Sequence, residues 1–97
     1  MTGTRRTTAG LDARRRKALY HAWHRGVREM DLLLGRFAHQ AIGRLTDREL
    51  SDLEELMTVP DQELYAWLSG RSPPPDDYDT PLLHKIIQFH ANQPMDH

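Results

Sequence analysis

Between Met30 and Ala41 the apolar residues Met30, Leu33, Leu34, Phe37, Ala38 and Ala41 recur at i, i+3, i+4, i+7 spacing, which places them on one face of a helix. Such a helix must lay that face against other elements, because short helices do not persist alone in water. The rest of the chain supplies more helices to meet it. Leu11 to Trp23 reads as the first, with Asp12 as N-cap and Leu19, Ala22 and Trp23 on one side. The second runs from about Glu29 to Ile42, with Gly43 as its stop. Thr46-Asp47-Arg48-Glu49 has the form of a capping box ahead of the stripe Leu50, Leu53, Leu56 and Met57. A short fourth helix is expected from Pro60 or Asp61 to Ser69, carrying Leu64, Trp67 and Leu68 and closed by Gly70. Thr80-Pro81 opens a fifth as N-cap and first helical residue, followed by Leu82, Leu83, Ile86, Ile87 and His90. Three consecutive prolines make Ser72–Asp77 a stiff extended connector. No segment reads convincingly as a strand. The expected fold is all-α, a compact bundle of five short helices over residues 11–91, between a flexible basic N-terminus (1–10) and a flexible tail (92–97).

A chain of 97 residues makes one small domain with little room for a deep cofactor pocket, which weighs against an ordinary metabolic enzyme. It has no cysteine, so disulfides, thiolate metal sites and cysteine nucleophiles are excluded. No apolar run reaches the length of a membrane span. The first ten residues hold Arg5, Arg6 and several threonines, but no apolar stretch follows, so no secretory signal is read there. Charge is distributed unevenly. Residues 1–28 carry eight Arg and Lys against one Asp, and residues 29–97 carry five against thirteen Asp and Glu.

Candidate chemistry is sparse. His21 and His24 are three apart, but no His-Glu-x-x-His pattern exists, and the other histidines are scattered. No metal site is expected. Arg14-Arg15-Arg16-Lys17 could contact phosphates, but it equally suits the solvated face of an amphipathic helix or a patch for an acidic protein partner. The acidic remainder would repel nucleic acid. The acids Glu54, Glu55, Asp76, Asp77 and Asp79 have the look of solvated surface, and no catalytic residues are assigned. Trp23 and Trp67 fall on apolar stripes and read as core. What remains is Arg25-Gly26-Val27-Arg28-Glu29, an R-G-x-x-E element between two helical patterns. A glycine there implies a backbone turn or a close approach. Arg25 and Glu29, four apart, would share a face on helical geometry. An inter-helix turn with a weak ion pair and a partner-docking surface account for the element equally well.

The stretch from His24 to Phe37, containing R-G-x-x-E, resembles the succinate dehydrogenase FAD assembly factor family. Thr46-Asp47-Arg48-Glu49-Leu50 is similar to the family's third-helix start, and Pro60-Asp61-Gln62-Glu63-Leu64-Tyr65-Ala66-Trp67-Leu68 to its P-D-x-D/E-L-x-x-W-L helix. The likeness covers about residues 11 to 90. His24 stands where a second Arg is common, and Val27 where Met is common. The resemblance implies a five-helix, non-catalytic factor that binds the flavoprotein subunit of succinate dehydrogenase, and in bacteria fumarate reductase. It promotes covalent FAD attachment there while binding no cofactor stably itself. It also implies a monomer when free, in the bacterial cytoplasm or the mitochondrial matrix. In family terms Arg25, Gly26 and Glu29 face the partner, with Arg28 and Asp31 completing the expected contact surface. Arg25 would fork onto a partner carboxylate or carbonyl, Gly26 would permit close approach, and Glu29 would accept from partner donors. The rival reading is an antitoxin-like or regulatory protein-binding module.

Overall fold

The computed structural model describes residues 10–92; of the expected flexible ends, 1–10 and 92–97, all but Gly10 and Asn92 lie outside the described residues. Five α-helices follow in order: α1 (Ala13–Trp23), α2 (Arg28–Ala41), α3 (Asp47–Leu56), α4 (Asp61–Leu68) and α5 (Pro81–Ala91). No strand occurs among the described residues. α1 packs chiefly along α2, and α5 lies against α2, α3 and α4. The expected stripes meet in one core, with Leu34, Ile42, Leu50, Leu53, Leu56, Leu64, Leu82, Leu83 and Ile86 fully buried. Each such side chain contributes roughly 1.5–3 kcal/mol by leaving water.

Local chemistry sets the helix ends. The Asp12 carboxylate accepts from Arg15 N at 2.8 Å. Thr46 and Glu49 form both halves of the capping box. The Thr80 hydroxyl accepts from Leu83 N, with Pro81 opening α5. Gly70, at φ +82°, closes α4: Arg71 N donates to Ala66 O at 2.8 Å and Gly70 N to Trp67 O at 3.3 Å. This 6→1 and 5→2 pair is the Schellman closure that a left-handed glycine permits. Gly43 is not in that conformation. α2 instead ends in a tight turn in which Arg44 N donates to Ala41 O. The proline connector is also less extended than expected. After Pro75 it tightens into a 3₁₀ turn, Asp76–Tyr78, which sets the Tyr78 ring 5.3 Å from that of Trp67.

The approach of α1 to α2 depends on a glycine that periodicity does not single out. Gly35 lies buried in α2, and a Cβ built there would come 2.4 Å from Trp23 Cδ2. The indole therefore rests on bare backbone. Glycine inside a helix ordinarily costs about 1 kcal/mol relative to alanine; here it admits the last side chain of α1 and fixes where the chain leaves that helix.

The basic segment of α1 turns onto its own chain. Arg14 forks onto Glu54 of α3 (Nη2–Oε1 2.7 Å, Nε–Oε2 2.9 Å). Arg15 donates to the Ile42 and Leu45 carbonyls and pairs with Asp12. Arg16 donates to Leu11 O. Lys85 of α5 pairs with Glu49. Arg14 and Arg15 are thus spent on clasps between α1 and the elements it packs against. The fork from Arg14 holds the Glu54 carboxyl below its ordinary value, and the Lys85 ammonium, helped by the Thr46 backbone, does the same for Glu49.

Candidate functional site

Residues 24–27 form the turn between α1 and α2, so Arg25 is not helical and does not share a helix face with Glu29. Its side chain runs inward and is only 10% exposed. Arg25 Nε donates to Asp61 Oδ1 at 2.7 Å, Nη1 to Met57 O at 2.8 Å and Nη2 to Val59 O at 2.8 Å. A planar guanidinium satisfies these three acceptors at once, as an ammonium could not. Both carbonyls belong to the link between α3 and α4, and Asp61 is the first residue of α4. There its carboxylate also meets the positive end of the helix dipole. Arg25 is therefore a clamp that ties one inter-helix link to the other. In this structure those donors are committed within the chain, and not turned outward to the partner carboxylate or carbonyl that the resemblance implies.

Asp31 belongs to the same clamp. Its Oδ1 accepts from Arg25 N at 2.6 Å, and its own N–H donates to Val27 O at 2.9 Å, the first turn of α2. The carboxylate thus closes the turn from behind.

The other three expected contact residues face outward. Gly26, Arg28 and Glu29 are exposed, with Val27 between them. Neither Arg28 nor Glu29 makes an ion pair among the described residues. Gly26 adopts φ +96° with nothing within 4 Å of a Cβ position. Its bareness is thus required by the backbone, and it also leaves open space outside. Beside it lies a shallow cavity of about 350 Å³, lined by Val27, Glu29, Met30, Asp61, Gln62 and Tyr65. Val27 (40%) and Tyr65 (37%) are two of three large hydrophobic side chains exposed among the described residues; the third is Tyr20. An exposed apolar pair beside an unpaired carboxylate has the make-up of a protein-contact patch. Asp61 and Tyr65 belong to this site although the sequence marked them only as part of a helix. Their role follows from the α4 N-terminus lying against the α1–α2 turn, which no spacing rule reveals.

The family model described as Flavinator of succinate dehydrogenase matches residues 16–90, from the middle of α1 to the end of α5. The chain belongs to this family. The FAD assembly factor SdhE of Acetobacter pasteurianus is 41% identical over 78 residues, covering 80% of this chain and 72% of the relative. That of Legionella pneumophila is 37% identical over 82 residues, covering 84% of this chain and 98% of the relative. The mitochondrial succinate dehydrogenase assembly factor 2 of Dictyostelium discoideum is 36% identical over 86 residues, covering 88% of this chain and 60% of the relative. The chain thus spans less than two thirds of that mitochondrial relative. All three alignments are long enough to take in much of the flavinator fold.

Among the described residues no group of three His, Cys, Asp or Glu side chains could hold a metal ion, and no helix is long and apolar enough to cross a membrane.

Proposed function

We propose that this flavinator-family chain is an assembly factor that docks on the flavoprotein subunit of succinate dehydrogenase and promotes covalent attachment of FAD to it. The observation that carries the docking surface is the outward half of the motif: Gly26, Arg28 and Glu29 stand exposed beside the Val27–Tyr65 patch on a turn held rigid from behind. Pre-organisation of this kind lowers the ordering cost of binding. The bond-forming chemistry is assigned to the flavoprotein and its FAD. In this reading the chain is not an enzyme, keeps no flavin of its own, binds as a monomer and accepts the fumarate reductase flavoprotein as a second client. Its place is the bacterial cytoplasm or the mitochondrial matrix, wherever the immature subunit is found.

The test combines the apo-flavoprotein subunit, FAD and the purified chain, and reads covalent flavin as in-gel fluorescence after denaturation. The wild-type chain is expected to raise it, and folded Gly26→Arg is expected not to. Equal flavin with and without the wild-type chain overturns the function; full stimulation by Gly26→Arg overturns the assignment of the surface.

A further inference from the structure

A second groove, of about 680 Å³, lies on the other side of the Arg25–Asp61 pair, which borders it. One wall is the face of α1 that carries Lys17 and His21, with His24 just past the helix end; the opposite wall is Glu54 and the α3–α4 link. Lys17, Tyr20 and His21 share one exposed face of α1, and His24 follows just beyond the helix end. Tyr20 on it is 57% exposed, the most open of the large hydrophobic side chains among the described residues. It stacks on His24 with ring centroids 4.0 Å apart and planes 16° from parallel. His24 Nδ1 donates to Tyr20 O at 2.7 Å, which fixes the ring over the tyrosine.

The charges at this groove are unevenly committed. Both carboxylates that line it are already held by arginines of the same chain, Glu54 by Arg14 and Asp61 by Arg25. Lys17 makes no ion pair among the described residues. With the acids held in place, the cation left without an ion pair is the Lys17 ammonium, whose field also reaches Glu54, on a wall with an aromatic platform beside it. That complements a carboxylate-bearing segment, since opposite potentials across an interface favour encounter and register. Asp61 lines both this groove and the Val27–Tyr65 cavity, so the two form one continuous surface across the clamp.

We infer that the Lys17–Tyr20–His21 face of α1, with His24 at its end, is a second half of the docking surface and receives an acidic segment of the same flavoprotein through Lys17. This rests on the docking proposed above and adds the chemistry of what is bound. It gives the exposed basic face of α1 a role that the R-G-x-x-E turn does not fill.

The experiment measures the affinity of the full chain for the apo-flavoprotein subunit of succinate dehydrogenase by titration calorimetry at 50 and 500 mM salt. Wild type is compared with Lys17→Glu, Lys17→Gln and Glu29→Ala, each checked for an unchanged melting temperature. Lys17→Glu is expected to weaken binding about tenfold at low salt and Lys17→Gln about threefold, both losses shrinking at high salt as screening removes the attraction. Wild-type affinity in both Lys17 variants at both salts, with binding still lost in Glu29→Ala, overturns the α1 half and leaves the motif surface standing. No binding by the wild-type chain overturns both. Capture of a labelled single-stranded oligonucleotide by the wild type, lost in Lys17→Glu, assigns the face to nucleic acid and overturns the inference.

Discussion

Two halves of one five-residue motif do opposite work. Arg25, with Asp31 just beyond the motif, faces into the molecule and holds the α1–α2 turn on the α3–α4 link. Gly26, Arg28 and Glu29 face solvent and hold nothing inside the described chain. Residues adjacent in sequence can therefore belong to a motif for different reasons, one set for position and the other for contact. Loss of function on mutating either half would look alike in an activity assay. Stability separates them.

The sharpest way to break the contrast is Arg25→Ala. It strips a part-buried carboxylate and two carbonyls of their donors, and is expected to cost about 2–4 kcal/mol in denaturant unfolding, near the value for breaking a buried pair. Arg25→Lys should recover only part of this, because one ammonium cannot span three acceptors. Wild-type stability in both variants would return Arg25 to the contact surface. Gly35→Ala tests the scaffold beneath the clamp. Overpacking against the Trp23 ring is expected to cost about 1–3 kcal/mol despite the better helix propensity of alanine. A neutral or raised melting temperature would mean that the indole moves aside at no cost. Asp31→Ala removes an acceptor from the Arg25 amide and should cost about 1–2 kcal/mol; an unaffected unfolding midpoint would remove Asp31 from the clamp.

Acid should act on a different region. Glu49 and Glu54 have carboxyl pKa values below the ordinary 4.5, held there by Lys85 and Arg14. A depressed folded value means that their contribution is fully present above about pH 4.5 and is lost as pH falls through the folded values. A Glu49→Gln/Glu54→Gln double variant should therefore show a shallower fall in melting temperature between pH 5 and 3 than wild type; parallel curves would show that these clasps carry no pH-linked stability. The smallest effect on stability belongs to the outward half. Arg28→Ala and Glu29→Ala should change unfolding by no more than about 0.5 kcal/mol, as for exposed unpaired side chains. Glu29→Ala should nonetheless lose stimulation of flavinylation. A large destabilisation by either would erase the division.

Much of this was legible beforehand. The period of Met30–Ala41, the capping box at Thr46, the Thr80-Pro81 start and Gly70 at the end of α4 each report local backbone chemistry, and each element formed where they indicated. The 3₁₀ turn at Asp76–Tyr78 escaped that reading because a tyrosine docking on a distant tryptophan helps set it. The motif was visible as a unit, but its division was not. A guanidinium four residues from a carboxylate looks the same whether it reaches outward or inward.

The sequence by itself determined the all-α class, most helix ends, the core stripes and, through its likeness to known factors, the family. Those follow from interactions within a few residues of one another, or from motif order along the chain. Only the tertiary structure decided that Arg25 and Asp31 are holders, that Gly35 is a seat for Trp23, and that the arginines of α1 are spent on the molecule itself. Apart from the Arg16 contact to Leu11 and the Arg15–Asp12 pair, these depend on partners from 6 to 40 residues away. A side chain's role turns on which acceptors lie within about 3 Å of it, and packing alone brings those acceptors there.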